Sequence, residues 1–189
     1  MPNLRSAEGK VFQSSLARAP MKRSGSSVAS DFVNSLETAN GYPEVWQIVK
    51  DTVKASLNRR RDRMMLFLDD LPVQLGAYHP IGTNNIVLNR TLVQIVEATV
   101  ESKRVVNALI YNLLLHEYLH ALGEYSEEDV RRMVYEVAKR CFGEKHVASV
   151  IAKRSPWALL SGIPIQAINA PKRVMEIVKN FEETGEYVV

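Results

Sequence analysis

The sequence has a single cysteine, Cys141. No intramolecular disulfide is possible, so a reducing, cytoplasmic setting is expected. No run of about twenty apolar residues occurs, and the pattern of a membrane-spanning helix is excluded. The longest apolar stretch, around Leu113 and Leu115, is interrupted by Asn112, His116 and Glu117. The first residues carry charges but no apolar central segment, so a secretory leader is not expected. Gly-rich phosphate loops and Cys-x-x-Cys pairs are also missing, and with them two common nucleotide and redox signatures. Charge of one sign is lacking in the body as well. Residues 1–30 hold five basic side chains against Glu8 alone, a net of +4. The rest hold 19 basic against 20 acidic, a net of −1. The overall +3 therefore belongs to the first thirty residues, and the body has no polyanion-binding signature.

The chain does have enough apolar residues for a core: 46% of 189 residues, an ordinary share for one globular domain. Residues 1–30 are rich in Ser, Arg and Lys without a sustained period, and read as a flexible basic arm. Residues 31–189 read as one domain. Phe32 and Leu36, then Trp46, Val49, Val53 and Leu57, recur at helical spacing. They predict helices over about 30–39 and 43–58, parted by Gly41, Tyr42 and Pro43. Met64 to Leu68 is a short apolar run stopped by Asp69, Asp70 and Pro72, which predicts a buried strand. Residues 75–79 and 85–89 predict two more strands around a Pro80–Gly82 turn. Helices follow over 91–101, from Lys103 to Gly123, over 127–141 and over 146–152, with a last amphipathic helix from Val174 to Phe181. Helices, then a small sheet, then helices indicate an α+β fold. Asn89-Arg90-Thr91 matches a glycosylation pattern, which carries no weight without secretion.

The informative residues are His116-Glu117-Tyr118-Leu119-His120, which include two of the four histidines. At about 3.6 residues per turn, His116 and His120 share one helix face. Two imidazoles so placed can bind one divalent metal, most simply Zn2+. Glu117 is rotated by about 100°, and can instead take a proton from a metal-bound water. The motif lies in an apolar helix, where such groups are costly unless ligated or paired.

His116 to Gly123 resembles the active-site helix of zincin metallopeptidases in the HExxHxxG form. Metzincins take a third His three residues after that Gly, a position held here by Ser126. The stretch Gly123-Glu124-Tyr125-Ser126-Glu127-Glu128 is more similar to minimal bacterial and archaeal zincin-like proteins, whose third ligand is acidic. The resemblance covers about residues 63–130. It implies a small mixed or antiparallel sheet packed on the active-site helix, with further helices on either side. It also implies an edge strand near 76–89 that pairs with a peptide or protein substrate. Its implied ligands are His116, His120 and Glu127, with Glu117 as general base. Glu128, Glu124 and His146 stay open as rivals for the third position, and Glu136 as a more distant one. The expected activity is zinc-dependent peptide hydrolysis. A non-catalytic zinc-binding module on the same scaffold is the alternative. Binding of nucleic acid through the arm and Arg59, Arg60, Arg61 and Arg63 is a third reading and not the expected one. Tyr78, Tyr125 and Tyr135 are candidates for an oxyanion donor. His79 reads as a surface residue and Cys141 as a small core residue.

Overall fold

The computed structural model describes residues 25–161 and 172–182. Most of the basic arm lies outside them, although the first helix, α1 (Gly25–Thr38), starts within its last six residues. The chain continues through α2 (Tyr42–Leu57), β1 (Met65–Asp69), β2 (Ala77–Tyr78), β3 (Asn85–Asn89) and α3 (Arg90–Val100). It then forms α4 (Lys103–Ala121), α5 (Glu127–Phe142), α6 (Val147–Arg154), a 3-10 turn (Pro156–Leu160) and β4 (Glu176–Ile177). The fold is α+β with a small mixed sheet.

Helix α4 is the axis of the molecule. It packs against every other described α-helix and against β2 and β3. Its side chains are buried on almost all faces, from Val106 to Ala121. A helix apolar all round belongs inside a core. Trp46 of α2 stands edge-on to Tyr118 of α4, centroids 4.8 Å apart. Tyr111 of α4 stands edge-on to Phe142 of α5 at 5.0 Å.

The sheet order is β2-β3-β1-β4. Strands β1 and β3 are parallel, Met65 opposite Asn85 through Asp69 opposite Asn89. Strand β2 runs antiparallel to β3, with Ala77 opposite Leu88 and Tyr78 opposite Val87, and forms one edge. Asn89, fully buried, holds the approach to that edge. Its Oδ1 accepts from the Leu92 N–H and caps α3. Its Nδ2 donates to the carbonyls of Leu71, Pro72 and Leu75 at 2.8–3.1 Å. The carboxamide is thus fully used, and buried, where the sequence offered a glycosylation pattern.

The other edge corrects the sequence reading. Residues 174–181 do not form the expected helix. Glu176 and Ile177 pair antiparallel with Leu68 and Phe67 of β1, and the Val178 N–H donates to Leu66. Phe181 then stacks on Trp46 at 4.8 Å. The carboxylate of Glu182 takes Lys50 Nζ and Trp46 Nε1, both at 3.1 Å. Spacings of three and four fit a helix, but an open sheet edge at β1 supplies backbone partners that solvent does not.

Asp70, just past β1, ties this return in place. It accepts from Arg90 Nε and Nη2 at 3.1 and 3.0 Å, from Thr91 Oγ1 at 3.0 Å, and from the Arg173 backbone and guanidinium. The Arg90 guanidinium, then that of Arg173, holds its carboxyl far below the usual range. Asp70→Asn is expected to cost about 3 kcal/mol at pH 7, because it leaves the buried Arg90 with the exposed Glu176, 3.5 Å away, as its carboxylate partner. A carboxyl lowered on folding stabilises above its unfolded pKa of about 4, and that stability drains away as pH falls further. In urea denaturation the gap between wild type and variant is therefore expected to narrow between pH 5 and pH 3. A gap of constant size would contradict the pairing.

Candidate metal centre

The candidate site is built at the carboxyl end of α4. The helix ends in a Schellman turn: the Gly123 N–H donates to His120 at 2.9 Å and the Glu124 N–H to Leu119 at 3.1 Å. Gly123 has φ +98°, a value that side-chain-bearing residues rarely adopt. The turn throws the chain back over α4. The Glu124 carbonyl then meets His120 Nδ1 at 2.6 Å. A carbonyl only accepts, so Nδ1 carries the proton and Nε2 of the neutral ring presents its lone pair. Two residues on, Ser126 Oγ accepts from the Asp129 N–H and starts α5. Glu127 is the first residue of that helix, and its carboxylate returns to the two imidazoles.

The three donors converge. His116 Nε2 and His120 Nε2 lie 3.2 Å apart. Glu127 Oε1 is 3.1 Å from His120 Nε2, and Oε2 is 3.3 Å from His116 Nε2. Among the described residues these three form the one cluster of metal-ligating side chains. Tetrahedral zinc at about 2.0–2.1 Å from each donor needs donor separations of about 3.3 Å. The spacing and the N,N,O donor set therefore fit that ion. Lone pairs that face one another across about 3 Å repel unless a cation or proton lies among them. Burial lowers the His116 pKa, with Glu127 opposing and His120 adding to the shift. The neutral form so favoured is the one that ligates metal.

Glu117 points elsewhere, as its helical angle requires. It is 6% exposed, and burial, then the nearby Glu127 charge, pushes its pKa up to about 8. The backbone of His79, just past β2, opposes that rise. The edge segment and the candidate base thus line the same groove.

The rivals for the third position are spent elsewhere. Glu124 pairs through its carboxylate with Arg59. His146 caps α6, its Nδ1 accepting from the Ala148 N–H at 3.2 Å, and stacks on Phe142. Its Nε2 lies 3.4 Å from Glu37, on the α1 side of the core. Glu128 and Glu136 are exposed on α5 and outside the cluster. Tyr135 donates its hydroxyl to Glu144 at 3.3 Å. Tyr78 and Tyr125 line the groove above the site. So does His79, whose Nδ1 meets the Asn85 carbonyl at 2.8 Å. Cys141 is a buried core residue, as expected.

The arginine cluster has a role that composition does not reveal. Arg59 donates to the Leu122 carbonyl, and Arg61 to that of Ala121. Two guanidinium groups therefore close the negative end of α4, where carbonyls lack helical partners. Arg61 also donates to the Thr83 carbonyl at 2.8 Å and to Asn84 Oδ1 at 2.6 Å. It thereby couples the β2–β3 turn to the carboxyl end of α4.

The site opens into a groove of about 910 Å³. One wall is the edge segment Gln74 to His79, and the other comes from α5, α6 and the turn after α6. Gly76 packs closely in the first wall: an added Cβ would lie 2.6 Å from a Leu113 methyl of α4, which would have to shift. Among the described residues no helix is long and apolar enough to cross a membrane. Comparison with protein-family models, curated proteins and solved structures gave no significant match to this chain.

Proposed function

We propose that this protein is a zinc-dependent metallopeptidase with a zincin-like fold. The observation that carries the reading is the set of three converging donors, His116, His120 and Glu127, with the buried carboxyl of Glu117 beside them. Zinc bound there supplies a water of lowered pKa and polarises the scissile carbonyl. Glu117 accepts that water's proton at its carboxylate and passes it to the leaving amine. His120 is held in the ligating tautomer by the Glu124 carbonyl.

The peptide or protein substrate adds along the outer edge of β2, whose backbone groups on that side have no strand partner among the described residues. The mixed sheet with a short antiparallel edge strand beside the ligand helix supports the zincin-like assignment. A closed, non-catalytic zinc site would need a fourth protein ligand. His146, its main candidate, is engaged with Ala148 and Glu37. The single buried thiol suits a cytoplasmic setting. In the test, zinc-loaded protein is incubated with a mixed-sequence peptide pool and new amino termini are read by mass spectrometry. Cleavage that stops on chelation and returns with zinc is expected. A pool left intact by the zinc-loaded protein would overturn the proposal.

A further inference from the structure

The groove wall opposite the edge strand is basic. Arg131, Arg132, Lys153 and Arg154 all line it. Three of these charges are answered by neighbouring carboxylates. Arg131 lies 3.7 Å from Glu127, Arg132 2.6 Å from Asp129, and Lys153 3.5 Å from Glu144. Arg154 has no carboxylate partner among the described residues. It ends α6, where a cation is favourable next to unpaired carbonyls, but the same position serves a second purpose. Arg154 also borders an adjoining depression of about 480 Å³ with Val73, Gln74, Trp157 and Ser161. Arg154 is the charged residue of that mostly apolar lining. The following residue, Ser155, has φ +86° and ψ 141°, a conformation costly for anything but glycine. That kink turns the chain so that Arg154 and the half-exposed Trp157 border the same space.

Resting on the peptidase reading, we infer that Arg154 is a specificity residue that receives a substrate carboxylate at this end of the groove. A guanidinium offers paired donors in the geometry of a carboxylate, and the indole beside it covers the aliphatic part of an acidic side chain. The carboxylate has two possible sources, an Asp or Glu side chain or the end of the peptide chain. Both present the same two oxygens.

The test uses zinc-loaded Glu117→Gln protein, so that binding is read without turnover. Calorimetry compares eight-residue peptides on one neutral sequence: amidated, amidated with a single Glu placed at each position in turn, and with a free carboxyl terminus. A matched Lys series is the control. A Glu peptide or the free-terminus peptide is expected to bind about tenfold tighter than the neutral one, the size of a charge-assisted hydrogen bond in a groove. Which of the two does so identifies the source. Adding Arg154→Ala should erase the difference, and Arg154→Glu should transfer the preference to a Lys peptide. Equal binding of acidic and neutral peptides, no binding of either acidic form, or a preference that survives Arg154→Ala would overturn the inference. Charge-dependent binding with no hydrolysis of any peptide by the wild-type protein would overturn the peptidase reading and leave the carboxylate site standing.

Discussion

Glu117→Gln is expected to leave zinc bound and to lower peptide hydrolysis by about 10³-fold, within the range for loss of a general acid–base. Gln keeps the size of Glu and one oxygen but cannot take up or release the proton. The side chain is not among the three converging donors, so metal stoichiometry should stay at one. Stability provides the control. Burial raises the Glu117 carboxyl to about 8, whereas the unfolded group ionises near 4. A carboxyl raised on folding costs stability once pH climbs above the unfolded value, because the unfolded state loses its proton first. The neutral Gln avoids that cost, so metal-free Glu117→Gln should be at least as stable as wild type at pH 7. Inactivity with a retained melting temperature would then assign the loss to proton transfer. A variant with full activity would remove Glu117 from the mechanism.

Glu127→Ala is expected to weaken zinc binding by about 10²–10³-fold. Structural zinc sites with four ligands bind with about 10–16 kcal/mol, or about 2.5–4 kcal/mol per ligand, and each 1.4 kcal/mol is a factor of ten. Glu127 is 60% exposed, so its removal leaves no buried cavity and the fold should persist. Its two oxygens contact one imidazole each, and no neighbouring carboxylate does so. Glu128→Ala, at the adjacent α5 position, should change zinc affinity by less than about twofold, as an exposed charge near the site would. Competition with a chromophoric chelator reads both variants. Unchanged affinity in Glu127→Ala, or a larger loss in Glu128→Ala, would move the third ligand.

The candidate site was legible because its geometry is local. The i, i+4 spacing fixes His116 and His120 on one face, and Gly123 with Ser126 marks the turn into the next helix. Past that turn Glu127 is one of several acidic candidates in the sequence, and the structure brings its carboxylate to the two imidazoles. His146 illustrates the limit of sequence distance. It was a reasonable soft ligand one helix further on, but α5 and α6 carry it to α1 and Glu37. The long-range polar contacts were not legible. Arg59 and Arg61 look like a solvated basic run until the α4 carbonyls are seen beside them. Asn89 stands in the sequence only as part of a glycosylation pattern, and its three bonds to the 71–75 segment depend on tertiary folding. Residues 174–181 failed for the opposite reason. Their helical period is real, yet pairing with β1 and burial of Phe181 against Trp46 outweighed the local preference.

The most direct test of the metal centre is a crystal structure of the zinc-loaded protein with anomalous data at the zinc edge. A single peak is expected about 2.0–2.2 Å from His116 Nε2, His120 Nε2 and a Glu127 oxygen, with one coordination position left to solvent. No peak among these three side chains, or a zinc closed by a fourth protein ligand, would contradict it.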